Sequence, residues 1–252
     1  MRSKERRSLL LGTLQAGEVD VADLAHRFGV SASTVRRDLQ RLSDENAVRR
    51  TYGGAILTTH AREATLGERQ AAQGGQKRAI AHAALASIED GDTLILDAGS
   101  TVLALGMLLK GRRLSIVTNN LAVLPFLAGE PQIDVTVLGG ALRANSMGTV
   151  GPLAIDALRR ITADRVFMSA DGVVAGRGLC EASLDQVALK SLMMEQAREI
   201  VVLADRTKLG RSEQSAWAPL PPHWHLVTDA PATDPDVLAL AAAGAQVTTA
   251  RL

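Results

Sequence analysis

Five short polar clusters punctuate the later part of the chain, each following an apolar run: Asp97-Ala98-Gly99-Ser100-Thr101, Thr118-Asn119-Asn120, Gly139-Gly140, Asp171-Gly172 and Asp205-Arg206-Thr207-Lys208. Carboxylates in such places accept hydrogen bonds from ligand hydroxyls. Ser100, Thr101 and the backbone N–H groups around Gly99 suit a phosphate. Asp97, Asp171 and Lys190 also carry the groups needed for acid–base chemistry. The glycines form neither the G-x-x-x-x-G-K-[ST] phosphate loop nor the G-x-G-x-x-G dinucleotide fingerprint, and no cofactor is expected. Taken singly, strand-end Asp-Gly and Asn-Asn pairs commonly make turns with no ligand, and a mid-helix lysine such as Lys190 is commonly solvated. Five clusters at one edge of one sheet are harder to assign to turns alone.

A second set of residues suits a different chemistry. Within SASTVRRDLQRL, Ser33, Arg36, Arg37 and Gln40 fall on one side of a helix, with Arg41 at the margin and Thr34 at its start. Asp38 projects sideways. A basic helix face often means only solvation, but these side chains bond phosphates and the edges of guanine and adenine. Arg49 and Arg50 follow in VRRTYGGAIL, which reads as two short strands around a glycine turn, a β-wing for the phosphate backbone.

The elements that position these groups follow from periodicity. Leu10, Leu11 and Leu14 mark a first helix with Arg6 and Arg7 near its start, ended by Gly17. Asp20 caps a second helix whose buried stripe is Val21, Leu24, Ala25 and Phe28, closed by Gly29. A third helix, capped by Ser31 or Ser33, turns Val35, Leu39 and Leu42 inward. Residues 1–58 thus form a winged helix-turn-helix. The polar stretch 59–75 reads as a linker with some helix. From 76 to 252 apolar strands alternate with helices: strands at 93–97, 114–118, 133–138, 165–170, 199–204, 224–228 and 246–249, helices at 102–110, 121–128, 183–197 and 235–243. Continuous apolar runs are expected of strands covered on both faces. The fold class is therefore α/β: a winged helix-turn-helix followed by a doubly wound, mostly parallel sheet.

Composition limits the alternatives. The 252 residues are 46% hydrophobic and 22% charged, with 2% aromatic, so the core is aliphatic. One cysteine, Cys180, rules out an internal disulfide framework and a cysteine-rich metal site, and fits a reducing cytoplasm. His223 and His225 read as solvent-facing residues at a strand start rather than metal ligands, so no metal is expected. No apolar run reaches membrane-spanning length, and the opening MRSKERRSLL lacks a signal-peptide core. Residues 1–58 hold ten Lys/Arg against seven Asp/Glu, a local excess of +3 against −2 in the remainder.

The stretches VADLAHRFGVSASTVRRDLQRL and VRRTYGGAIL resemble the helix-turn-helix and wing of the DeoR family of bacterial transcription regulators. The similarity continues through KRAIAHAALASIEDGDTLILDAGST, IVTNN, VLGGALR, MGTVGPLA, FMSADGV, GLCEASLDQVALK and REIVVLADRTKLGRS, and so covers almost the whole chain. It implies a sensor domain similar in fold to ribose-5-phosphate isomerase, whose effectors are phosphorylated sugars or polyols. Carried over, Asp97, Gly99, Ser100 and Thr101 would hold the phosphate and nearby hydroxyls. Thr118, Asn119, Gly140, Arg143, Asp171, Glu181, Lys190, Asp205 and Lys208 would line the rest. One departure is visible: Gln186 stands where the family usually has Glu, four residues before the lysine.

The expectation is a non-enzymatic regulator of carbohydrate-metabolism genes, a repressor that binds double-stranded operator DNA as a homodimer or homotetramer. A phosphosugar isomerase carrying an accessory DNA-binding module is the competing expectation, since a fold by itself does not exclude catalysis.

Overall fold

The computed structural model describes residues 6, 9, 10, 13, 19–44, 48–50, 54–57 and 63–251. The chain divides into two compact units, Met1–Glu63 and Ala64–Leu252.

In the first unit, α1 (Val21–Phe28) and α2 (Ala32–Asp44) follow each other across a tight turn at Gly29 and Val30. Ser31 caps α2, its Oγ accepting from Thr34 N–H at 3.2 Å. Leu10, Leu24, Val35, Leu39 and Leu42 are buried together, with Ala25 and Phe28 packed against them. Leu11, Leu14, Arg7 and Gly17 lie outside the described residues, so the rest of the expected first helix does too. Three strands complete the unit: β1 (Val19–Asp20), β2 (Val48–Arg50) and β3 (Gly54–Leu57). They form an antiparallel sheet in the order β1-β3-β2, with Arg49 opposite Ile56 and Arg50 opposite Ala55. Thr51–Gly53, the expected wing turn, also lies outside the described residues.

The second unit begins earlier than periodicity suggests. Its first helices are α3 (Leu66–Ala71) and α4 (Gly74–Leu85), within and just beyond the stretch expected to be a linker. Thr65 and Glu68 form a reciprocal capping box that starts α3. Alanines and a buried lysine, Lys77, blur the polar–apolar contrast of α4, which hides it from a periodicity search.

Next come β4 (Thr93–Leu96), α5 (Ser100–Gly106), β5 (Leu114–Thr118), α6 (Leu124–Leu127) and β6 (Ile133–Val137). A hairpin of β7 (Ala141–Arg143) and β8 (Gly148–Val150) leads to α7 (Pro152–Leu158) and β9 (Ala163–Met168). The chain continues through β10 (Gly172–Val174), β11 (Gly178–Glu181), α8 (Leu184–Glu195) and β12 (Ala197–Leu203). It ends with β13 (Ala216–Ala218), β14 (Trp224–Thr228), α9 (Pro235–Ala242) and β15 (Ala245–Thr249).

Seven strands form one sheet, β15-β14-β12-β9-β4-β5-β6, and all its pairings are parallel. All seven strands read from the sequence are in it. Alternate residues serve opposite faces. Ile95, Val166, Met168 and Val202 pack with Leu158 of α7, Leu189 and Met193 of α8 and Leu240 of α9. Leu94, Leu96, Phe167 and Val201 pack with Ile80 of α4 and Val102 and Leu105 of α5. Both faces are covered, as the apolar runs require. A small antiparallel sheet, β10-β11-β13, stands apart from the main one.

The strand order fixes where a ligand belongs. From β4 the chain moves outward through β5 to β6, then returns to the other side of β4 and continues through β9, β12, β14 and β15. The pair β4–β9 is therefore the switch point, and in such sheets ligands bind outside the carboxyl ends of the strands that flank it.

Candidate functional site

A cavity of about 200 Å³ opens at that switch point. Its floor comes from the loop after β4, where Gly99 meets the loop after β9. A Cβ at Gly99 would lie 2.1 Å from Ser169 Oγ, so a side chain there would force the Ser169 hydroxyl to another rotamer. Ser100, Thr101, Asp171, Glu181, Asp205 and Lys208 line the cavity, as the sequence suggests, and Gln186 joins them. Asp97, Asn119 and Lys190 lie beneath, around a second cavity of about 10 Å³. The Asn119 side-chain carbonyl there has no hydrogen-bond partner among the described residues.

Lys190 anchors the floor. Carried over as an effector-lining residue although mid-helix lysines are commonly solvated, it is 3% exposed. Its Nζ donates to Asp97 Oδ2 and, at 2.5 Å, to the Ser169 carbonyl, with Glu181 Oε1 at 3.2 Å. Burial disfavours its charge, but Asp97 and Glu181 together outweigh that and hold its pKa above the ordinary lysine value. Burial pushes the Glu181 carboxyl the other way, up to about 7 against the pull of Lys190. Gln186 Nε2 donates to Glu181 Oε2 at 2.9 Å, while its Oε1 accepts from Ser183 Oγ at 3.1 Å. An acid at position 186 would instead set two carboxylates against each other here.

The cavity also holds cations, and sequence reasoning missed most of them. Lys77, Arg69 and Arg211 line the cavity together with the anticipated Lys208. The Lys77 pKa is lowered, chiefly by burial and further by the charges of Lys208 and Arg69, against an upward pull from Asp205. These groups therefore feel one another's fields. The available signal for Lys77 was its place at the head of the KRAIAHAAL stretch.

Three anticipated residues line neither cavity. Thr118 is fully buried and its hydroxyl is committed: Oγ1 donates to the Leu96 carbonyl at 2.6 Å and accepts from Asn120 N–H at 2.9 Å. Gly140 serves the β7–β8 hairpin, where its φ of 137° is one that side-chain-bearing residues avoid and a Cβ would lie 2.4 Å from the Val150 carbonyl oxygen. Arg143 ends β7, half-buried, and lines neither. His223, just before β14, is exposed, and His225, on it, is half-buried. Cys180 is buried, with Sγ 3.4 Å from the Arg211 carbonyl.

In the first unit, α2 presents Ser33, Arg36, Arg37, Gln40 and Arg41 as exposed side chains, with Thr34 half-buried. Asp38 departs from expectation: it is buried and accepts from Arg6 Nε at 2.6 Å, fixing α2 to the residues before it. Arg49 and Arg50 sit on β2.

Comparison with known proteins decides the family. The profile of the DeoR-like helix-turn-helix domain matches residues 6–61, and that of the DeoR C-terminal sensor domain matches residues 72–230. The chain belongs to the DeoR family of transcription regulators. Among similar DeoR-family chains, the HTH-type transcriptional repressor CsqR of Escherichia coli is 33% identical over 201 residues, 79% of this chain and 77% of that protein. The glycerol-3-phosphate regulon repressor of the same organism is 32% identical over 199 residues, 79% of each. Among solved structures, ribose 5-phosphate isomerase A from Methanocaldococcus jannaschii overlaps 54% of this chain and 55% of its own, at 17% identity and a TM-score of 0.40. Among the described residues no helix is long and apolar enough to cross a membrane.

Proposed function

We propose that this DeoR-family chain is a cytoplasmic repressor of carbohydrate-metabolism genes that binds double-stranded operator DNA and is controlled by a phosphorylated sugar or polyol. The observation that carries the reading is the cavity at the switch point, which is lined by cations, hydroxyls and carboxylates together. Among the lining residues, Lys77, Lys208, Ser100 and Thr101 suit a phosphate dianion. Asp171, Glu181 and Asp205 offer acceptors for the hydroxyls of a short polyol chain. Asp97 and Lys190 act from beneath by holding Glu181 and the Ser169 carbonyl in place.

On the DNA side, Arg36, Arg37 and Gln40 on the exposed face of α2 suit base edges in the major groove, with Ser33, Thr34 and Arg41 beside them. Arg49 and Arg50 suit phosphates. A single recognition helix reads a short site, so a symmetric homodimer or homotetramer on paired half-sites follows.

Of the acid–base candidates, Lys190 is unsuited to turnover. A general base must be able to give up and take a proton near the working pH. Lys190 has three acceptors around its ammonium and a raised pKa, which leaves it locked in the protonated state. The test is a thermal-shift screen of the purified chain against phosphorylated sugars, polyols and their unphosphorylated parents. Stabilisation by phosphorylated compounds, with no product formed from ribose 5-phosphate, is the expected result. Equal stabilisation by the unphosphorylated parents, or steady isomerisation, would overturn the reading.

A further inference from the structure

The residues that immediately follow the boundary at Glu63–Ala64 build one wall of the cavity: Ala64, Glu68, Arg69, Ala72, Gln73 and Lys77. Their helix, α3, spans six residues, and Leu66 is its buried residue. A helix of that length has little stability of its own, so its polar attachments decide whether it stays docked. At its end the Lys77 ammonium donates to the carbonyls of Arg69 and, at 2.7 Å, Ala72. Arg69 reaches two separate loops: Nη2 donates to the Asn145 carbonyl at 3.0 Å in the β7–β8 turn, and Nη1 lies 3.8 Å from Asp171 Oδ1 beyond β9. Between α3 and α4, Gln73 is held in the left-handed region at φ 56° and ψ 34°. Only the surrounding contacts sustain such a conformation in a residue other than glycine.

The attachments of α3 are thus also cavity groups. A ligand shifts a conformational equilibrium only through contacts that differ between the two states. An anion drawn to Lys77 competes with the α3 carbonyls for its protons, and a ligand hydroxyl bonded to Asp171 competes with Arg69. We propose that α3 and the Ala72–Gln73 turn form a ligand-sensitive strap, latched over the empty cavity by Arg69 and Lys77 and loosened when a phosphorylated ligand engages those groups. Occupancy of the sensor unit then reaches the chain at the point where the first unit joins it. This regulation rests on the effector reading above.

Amide hydrogen exchange on the full-length protein tests both ideas separately. The probes are inorganic phosphate and glycerol 3-phosphate, each against chloride at equal ionic strength. The expected result is altered exchange in the peptide containing Gly99–Thr101 together with faster exchange across 66–73. In the ligand-free Arg69→Ala chain, exchange across 66–73 should rise on the order of tenfold while the strands of the parallel sheet keep their protection. Arg69→Gln, which retains a donor for the Asn145 carbonyl, should show a smaller rise and serves if the alanine variant melts early. Altered exchange at Gly99–Thr101 with none across 66–73 would leave the effector reading standing and overturn the strap. Unchanged exchange at both segments with both probes would remove the effector reading and the strap with it. Unchanged exchange across 66–73 in both Arg69 variants would overturn the latch.

Discussion

Lys190, Asp97 and Glu181 form one buried charged unit. Removing the ammonium, as in Lys190→Met, leaves Asp97 and Glu181 buried together with no counter-charge. The expected cost is about 3–5 kcal/mol of folding stability, read from urea denaturation. A loss below 1 kcal/mol would show that water reaches the pair. Glu181 carries its own pH signature. Its folded pKa stands above the ordinary carboxylate value, so from that value up to about 7 the folded chain keeps a proton that the unfolded chain has released. Stability from this group therefore falls as pH rises through that window. Glu181→Gln should flatten that part of the stability–pH curve, and thermal melts between pH 5 and 8 would detect it. Neither property is visible along the sequence. The partners are 93 positions apart, and only the packing of α8 beneath β4 joins them.

The elements differ in how plainly the sequence announces them. Most of the sheet strands carry continuous apolar runs bounded by polar turns, a pattern that burial on both faces demands, whereas the edge strands β6 (IDVTV) and β15 (AQVTT) interleave polar residues. The grouping of the strand-end clusters is legible too, because a parallel sheet gathers the carboxyl ends of its strands on one edge. α3 and α4 are hidden. One is short and held by a capping box, and the other buries a lysine where periodicity expects an apolar residue. The cavity cations Arg69 and Lys77 are hidden with them. Thr118 misleads for a related reason: a strand-end hydroxyl that closes a turn looks the same in sequence as one that meets a ligand. In α2 the buried stripe and the exposed face are both legible, and the face leads to a prediction at this scale. Arg36→Ala, Arg37→Ala and Gln40→Ala should each cost about 1–3 kcal/mol in operator affinity and relax preference at one position of each half-site. Arg49→Ala and Arg50→Ala should weaken binding to all duplexes alike and reduce its salt dependence. Fluorescence anisotropy on matched and scrambled duplexes at two salt concentrations separates the two patterns.

At the scale of the molecule, the cavity and α2 belong to different units, so each can be impaired alone. Lys208→Ala removes a half-buried cation for which no ion pair appears among the described residues, so little folding stability should go with it. That variant should hold operator DNA as the parent does yet need on the order of tenfold more phosphorylated effector to release it. Gel shifts titrated with the compound found by thermal shift measure this. Release at the parent's concentration would move the phosphate away from Lys208.

Every residue that lines the larger cavity lies at position 64 or beyond. For anyone grafting this sensor onto a different output, such as a fluorescent reporter or a foreign DNA-binding module, the splice point matters more than the linker's composition suggests. A fusion joined at residue 76 would discard Glu68, Arg69 and Gln73 and deliver a receptor with one side missing. A junction just before Ala64 carries the whole receptor across, and with it the segment through which its occupancy would be felt.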